Sequence, residues 1–208
     1  ILKRKGCLSI TFSGGEVLSS KKFPYIYEYA YLLNFRISLI TNLSLLSENH
    51  LKLFSQKKPD CITVSLYGSS NETYEKFCGV KNGWDRVSKN IIDIKQNAIP
   101  IKLQTVLNTI NFHELLQMKN FAELHTIPFF AFRNITCEVT GSARPLQFQI
   151  TPQQELESFK IMNDGEEFLQ ATQKYADMWS EGYKRCFAGL TNCYIDCKTF
   201  FSFLGTVI

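Results

Sequence analysis

The 208-residue sequence predicts an α/β fold in which about five parallel strands alternate with helices. Three observations support this prediction. Short runs rich in β-branched and aromatic residues recur along the chain, and segments of helical periodicity separate them. Hydrophobic residues make up 45% of the chain, which is enough for a sizeable core. The sequence has neither a dinucleotide fingerprint nor a phosphate loop, which favours part of a barrel over a doubly wound sheet.

The elements can be placed from local patterns. The predicted strands span residues 7–12, 35–40, 61–65, 101–107 and 128–137. Between them, a helix capped by Ser19 or Ser20 is expected to run to Asn34, and Ser47 is expected to cap the next one. Two more helical stretches are expected, at 71–97 with an interruption at 79–83, and at 112–125. Right-handed crossovers would join these strands into one parallel sheet.

The pattern changes after Gly141. Thr151 and Pro152 begin a further helix, with the threonine as its cap and the proline at its first position. An amphipathic stretch follows to about Tyr183. We therefore expect a partial barrel over 1–148, a helical connector over 149–185 and a cysteine-containing extension over 186–208.

Composition limits the binding partners and the cellular location that we expect for this protein. Net charge is +4 with scattered basic residues, so no nucleic-acid surface is expected. No apolar run approaches the ~20 residues of a membrane span and no signal-peptide core leads the sequence, so a cytoplasmic location is expected. The seven cysteines are many for a cytoplasmic chain, and their odd number argues against a closed set of disulfides. Four are interpreted as buried free thiols: Cys7, Cys61, Cys78 and Cys137.

Polar residues follow the apolar run of each predicted strand. In parallel α/β folds, ligands bind at this carboxyl edge of the sheet. Gly14 and Gly15 would let a ligand approach the backbone closely, and Glu16 would accept hydrogen bonds from an ammonium group. The alternative is a tight turn followed by a solvated helix start.

Several of these segments resemble, in order, the motifs of one enzyme family. They are Ser-Gly-Gly-Glu at 13–16, Thr-Asn-Leu-Ser-Leu-Leu at 41–46, Val-Ser-Leu-Tyr-Gly at 64–68, Gly-Val-Lys with Trp-Asp-Arg-Val within 74–87, Gln-Thr-Val-Leu-Asn at 104–108 and Gly-Ser-Ala-Arg at 141–144. Over roughly residues 8–155, the sequence is similar to the radical S-adenosylmethionine (SAM) enzymes. The resemblance implies a partial TIM-like (β/α) barrel.

The resemblance also implies roles for individual residues. Gly14, Gly15 and Glu16 would hold the amino group of SAM, and Ser65 would bind its ribose or carboxylate. Three further positions match family motifs around the same site: Thr41, Asn42 and Asn108. The implied reaction cleaves SAM to a 5′-deoxyadenosyl radical, which abstracts hydrogen from a peptide or protein substrate. A flavodoxin or ferredoxin would serve as electron donor. No catalytic residue is assigned.

The tail extends the resemblance. Cys-Phe-Ala-Gly at 186–189 and Tyr-Ile-Asp at 194–196 resemble the opening of the SPASM extension of peptide and sulfatase maturases. There, thiolates hold auxiliary iron–sulfur clusters, so Cys186, Cys193 and Cys197 are the implied metal ligands. Ser202 and Phe203 stand where the family has Pro-Cys, so we expect this segment to lack a complete cluster.

The family's Cys-x-x-x-Cys-x-x-Cys motif, which holds the [4Fe–4S] cluster that cleaves SAM, does not occur in the sequence. Because the chain starts at Ile1 inside a strand-like run, we interpret this as truncation, with most cluster ligands outside the chain. The alternative is a catalytically inactive SAM-binding or protein-interaction module derived from the same fold.

Overall fold

The computed structural model describes residues 6–138 and 141–162. They form a five-stranded parallel sheet whose strands lie in chain order. The strands are β1 (Ser9–Phe12), β2 (Arg36–Thr41), β3 (Cys61–Leu66), β4 (Ile101–Val106) and β5 (Phe129–Phe132). The helices are α1 (Phe23–Leu32), α2 (Glu48–Gln56), α3 (Asn71–Cys78), α4 (Gly83–Gln96), α5 (Leu115–Leu124) and α6 (Pro152–Met162). The predicted α/β fold with five parallel strands is confirmed.

The strand order decides which face of the sheet is covered. Each strand lies beside its predecessor, so successive right-handed crossovers put their helices on the same side. Side chains on that side are buried and form the main core, among them Leu39, Ile62 and Leu103. The alternate positions of the same strands face the other side, where Ser65 and Gln104 remain partly exposed. One face of the sheet is therefore core, and we call the other the open face.

A smaller cluster packs beyond β4 and β5. Leu107, Leu115 and Ile150 are buried there, with Ile161 and Met162 of α6 against them. Arg133, just after β5, donates to the Ser158 hydroxyl at 2.6 Å and lies over the Phe159 ring at 3.7 Å. These contacts attach α6 to the end of the sheet.

Two predicted helix caps are confirmed. The Ser47 hydroxyl accepts from the backbone N–H of His50 at 3.3 Å, at the start of α2. At α6, Thr151 Oγ1 accepts from the N–H of Gln154 at 3.2 Å, while Gln154 Oε1 accepts from the N–H of Thr151 at 2.9 Å. This reciprocal pair is a capping box.

Two local predictions were wrong. Neither Ser19 nor Ser20 caps α1: residues Val17–Ser19 form a 3₁₀ turn, and α1 follows Lys22, with Pro24 in its first turn. The fifth strand ends at Phe132 instead of continuing to residue 137. Its only sheet partner among the described residues is β4, which ends at Val106, the register partner of Phe132.

No described helix is long and apolar enough to span a membrane. Residues 163–208 lie outside the part of the chain that the structure describes, and they include most of the predicted connector and all of the predicted extension.

Candidate functional site

The end of β1 leads into an open backbone turn. Gly14 has φ +143°, a conformation that side chains disfavour, and a Cβ atom built on Gly15 would meet nothing within 4 Å. Both glycines are exposed. The backbone is therefore accessible to a ligand at this turn, and the Gly15 position has space that a larger side chain would occupy.

Glu16 ties this turn to the end of the neighbouring strand. Its carboxylate accepts from the Thr41 hydroxyl at 2.6 Å, from the N–H of Asn42 at 2.8 Å and from the N–H of Leu18 at 3.0 Å. Three of roughly four acceptor positions on the carboxylate are thus used within the chain. Glu16 joins the ends of β1 and β2, and one acceptor direction remains for a ligand.

Buried side chains and their hydrogen bonds stabilise the turn after β2. Thr41 is buried, and its Oγ1 also accepts from the N–H of Leu43 at 2.9 Å. Leu43 has φ +59°, and its buried side chain and a 2.8 Å hydrogen bond from Asn90 to its carbonyl hold it in this left-handed conformation. A core leucine thus adopts a backbone conformation that glycine adopts more readily. Asn42 Oδ1 accepts from the backbone N–H of Ser44 at 2.9 Å and from the Ser44 hydroxyl at 2.6 Å.

Ser65 lies on the open face two strands from Gly15. The register pairs Phe12 with Leu39 and Leu39 with Ile62, so the Gly14–Gly15 turn after β1 and Ser65 near the end of β3 lie at the same edge of the sheet. With strands about 4.8 Å apart, β1 and β3 are separated by about 10 Å. The Ser65 hydroxyl accepts from Gln104 Nε2 at 3.3 Å.

Tyr67 follows Ser65 at the same rim. Its ring stacks on Phe77, with centroids 4.7 Å apart and planes 7° from parallel. Burial raises the pKa of the Tyr67 phenol, while a hydrogen bond with the Asn42 side chain acts in the opposite direction. Tyr67 therefore packs the turn after β3 against α3.

Asn108 is placed differently from the other predicted site residues. It is buried, its Oδ1 accepts from the N–H of Ile110 at 2.9 Å, and its Nδ2 donates to the Val106 carbonyl at 3.0 Å. These contacts make it a turn-stabilising residue after β4. Its predicted part in the SAM site remains a prediction.

One prominent residue of this rim did not emerge from the sequence. Glu114, 7% exposed, accepts from the N–H of Ser69 at 2.5 Å, from the Thr73 hydroxyl at 2.7 Å and from the Ser70 hydroxyl. Burial raises the pKa of Glu114, but these hydrogen bonds and nearby His113 outweigh it and lower the pKa overall. Its donors are 41 to 45 residues away in sequence, so no local pattern signals the contact.

The described residues do not fit a four-iron cluster. The four described cysteines are free, as predicted, but the prediction that they are buried was wrong: two are half-buried and two are exposed. No group of three His, Cys, Asp or Glu side chains in the described ranges could hold a metal ion. Cys186, Cys193 and Cys197 lie outside the described residues, so their role as ligands remains a prediction.

Comparison with known proteins identifies the family. The family model of the radical SAM superfamily matches residues 1–122. Fe-coproporphyrin III synthase of Methanosarcina barkeri is 27% identical over 133 residues, which cover 64% of this chain and 33% of that one. A probable GTP 3′,8-cyclase of Saccharolobus islandicus is 34% identical over 137 residues, 61% of this chain and 43% of that one. The chain thus spans less than half the length of these relatives.

A solved structure shares the fold. SuiB of Streptococcus suis, bound to its precursor peptide SuiA, superposes with a TM-score of 0.66 and 18% identity, covering 84% of this chain and 38% of that one. With SAM bound, the same protein gives a TM-score of 0.63 and 17% identity, covering 75% and 36%. Because the family model matches more than half of its residues, the chain belongs to the radical SAM superfamily of enzymes.

Proposed function

We propose that this chain forms the SAM-binding barrel of a radical SAM enzyme that modifies a peptide or protein. The observation that carries the proposal is the meeting of three strand ends at one rim. The open Gly14–Gly15 turn, the Glu16 link to Thr41 and Asn42, and Ser65 lie within about two strand spacings. A ligand the size of SAM spans that distance.

The chemistry of the rim suits the polar groups of SAM. The exposed backbone at Gly14 and Gly15 offers N–H and C=O groups to its amine and carboxylate. The remaining acceptor direction of Glu16 suits the ammonium, and the Ser65 hydroxyl suits a ribose hydroxyl or the carboxylate. These residues would bind and orient SAM.

The open face next to Ser65 supports an apolar substrate group. Phe130 and Phe132 are 50% and 53% exposed, and Val106, the register partner of Phe132, is 44% exposed. Gln104 pairs with both Ser65 and Phe130, which puts this apolar row about 10 Å from the proposed SAM contact. Apolar side chains of a peptide would pack there and lose exposed surface.

In the reaction proposed for the whole enzyme, an electron donor such as a flavodoxin or ferredoxin supplies one electron to SAM, and the sulfur–C5′ bond of SAM breaks. The products are methionine and a 5′-deoxyadenosyl radical, which takes a hydrogen atom from the substrate. No step is assigned to an iron–sulfur cluster here, because the described residues do not fit one. The chain's own contribution is to orient SAM and the substrate.

The first test is SAM binding to the full chain by isothermal titration calorimetry. A Cβ atom at Gly15 meets nothing within 4 Å, so Gly15→Val fills space beside the turn, and we expect SAM affinity to fall by about tenfold or more with little change in Tm. Ser20→Val, an exposed valine nearby, is the matched control. Unchanged affinity in Gly15→Val would show that the turn is only structural.

A second test separates the enzyme from the inactive module. The protein as its gene encodes it is incubated anaerobically with SAM and dithionite, and 5′-deoxyadenosine is measured. We expect this product. SAM binding without it, in a protein that holds no cluster, would favour the module.

A further inference from the structure

The strongest polar cluster that the proposed SAM contacts do not include surrounds Glu114. This residue ends the 3₁₀ turn Phe112–Glu114, just before α5. Its carboxylate accepts from three groups of the β3–α3 connection: the N–H of Ser69 and the hydroxyls of Ser70 and Thr73. One buried side chain beyond β4 thus holds the segment that follows β3.

The segment is packed against this carboxylate without spare room. A Cβ atom on Gly68 would lie 2.6 Å from Glu114 Oε2 and even closer to the Thr73 methyl group. Gly68 does not have positive φ, so close approach is the reason for glycine here. The position of Gly68 therefore depends on where Glu114 and Thr73 lie.

The residues held in this way adjoin the proposed ligand contacts. Tyr67 immediately precedes Gly68, and its ring stacks on Phe77 of α3 with centroids 4.7 Å apart. Ser65 stands two residues before Tyr67, near the end of β3. A shift of the Gly68–Ser69 backbone would move Tyr67 and the end of β3 that carries Ser65.

We propose that Glu114 is a positioning residue that holds the β3–α3 segment in the conformation that receives SAM. This inference rests on the proposed function, because it assigns Glu114 a role at the same site. Glu114 acts through Gly68 and Tyr67 and does not touch the ligand. As a carboxylate it only accepts hydrogen bonds, which matches a site whose three partners are all donors.

The test measures SAM affinity of the full chain and amide hydrogen exchange of Ser69 together. In Glu114→Gln, an NH₂ group replaces one carboxylate oxygen, and this donor faces groups that are themselves donors. At least one hydrogen bond to the carboxylate is therefore lost, so we expect the segment to loosen. We expect SAM affinity to fall by about tenfold and the Ser69 amide to exchange faster. Glu28→Gln is the matched charge control. It removes a carboxylate on α1 that pairs with Lys57 at 2.6 Å, and the variant should bind SAM like the wild type.

A second control separates positioning from general stability. Ile94→Val removes one buried methylene from α4, so it destabilises the fold without touching the β3–α3 segment. Weaker SAM binding in Glu114→Gln but not in Ile94→Val supports the inference. Equal loss in both, or wild-type affinity in Glu114→Gln, overturns it while the proposed function stands.

Two further outcomes are also decisive. If the wild type binds no SAM, the proposed function and the positioning role both fail, and altered Ser69 exchange would then report a purely structural contact. If Glu114→Gln does not fold, Ser70→Ala removes one donor and leaves the carboxylate in place. Wild-type affinity and Ser69 exchange in that variant would overturn the inference.

Discussion

At the scale of single residues, Glu16 and Glu114 show how two carboxylates organise the rim. Glu16 accepts from donors at the ends of β1 and β2, and Glu114 accepts from donors after β3. The sequence suggested Glu16 as an acceptor for a ligand, and the structure shows that most of its acceptor positions serve the chain. An acidic residue beside a glycine pair can be recognised from sequence, but its partners 25 residues away cannot.

Glu16→Ala tests the link between β1 and β2. The substitution leaves the buried Thr41 hydroxyl and the N–H of Asn42 without an acceptor, so we expect the free energy of unfolding to fall by about 2 kcal/mol and SAM binding to weaken. Urea unfolding and calorimetry measure the two effects.

Glu75→Ala is the control for Glu16→Ala. It removes a carboxylate that pairs with Lys81 at 3.9 Å on an exposed surface, and such pairs contribute little. Equal stability of the two variants would contradict a structural role for Glu16.

At the scale of secondary-structure elements, local chemistry predicted the starts of α2 and α6 correctly and the start of α1 and the end of β5 wrongly. Ser47 and Thr151 cap α2 and α6 as expected, because capping depends on residues within one turn. The end of β5 depends on where its partner β4 stops, and this is a property of the sheet. The start of α1 was misplaced because a 3₁₀ turn precedes this helix. Glu16, not Ser19 or Ser20, caps that turn by accepting from one of its backbone N–H groups.

Thr151→Ala tests the capping box of α6. Loss of the hydroxyl leaves the N–H of Gln154 without its partner, so we expect destabilisation of about 1 kcal/mol, measured by urea unfolding. Thr109→Ala, at an exposed threonine in a turn, should change stability by less than about 0.5 kcal/mol. A Thr151→Ala variant as stable as Thr109→Ala would mean that α6 does not depend on its cap.

At the scale of the whole molecule, the alternation of strands and helices was sufficient to predict the sheet and the rim where polar residues gather. Parallel strands joined in chain order must end at the same edge, so the alternating pattern alone predicts that Gly15 and Ser65 share that edge. The contacts that stiffen this rim join segments distant in sequence, and no local pattern reveals them. Asn108 shows the limit, because its position at a strand end was predicted and its inward hydrogen bonds were not.

Acid sensitivity of the whole fold follows from two groups. Burial against Phe23 and Phe54 lowers the pKa of His50 from its ordinary 6.5, despite the opposing influence of Glu16. Hydrogen bonds lower the pKa of Glu114 from its ordinary 4.5. For both, the unfolded chain binds the proton more readily than the folded one, so their stabilisation is complete above the ordinary pKa and is lost as pH falls below it.

We therefore expect the free energy of unfolding to fall in two steps, one beginning near pH 6.5 and the other near pH 4.5. Urea unfolding at intervals from pH 8 to pH 3 measures the profile. His50→Phe keeps a ring against Phe54 and should flatten only the first step, and Glu114→Gln should flatten only the second. If both variants gave the same pH profile as the wild type, protonation of these two side chains would not cause the loss of stability. Other groups would then control acid unfolding.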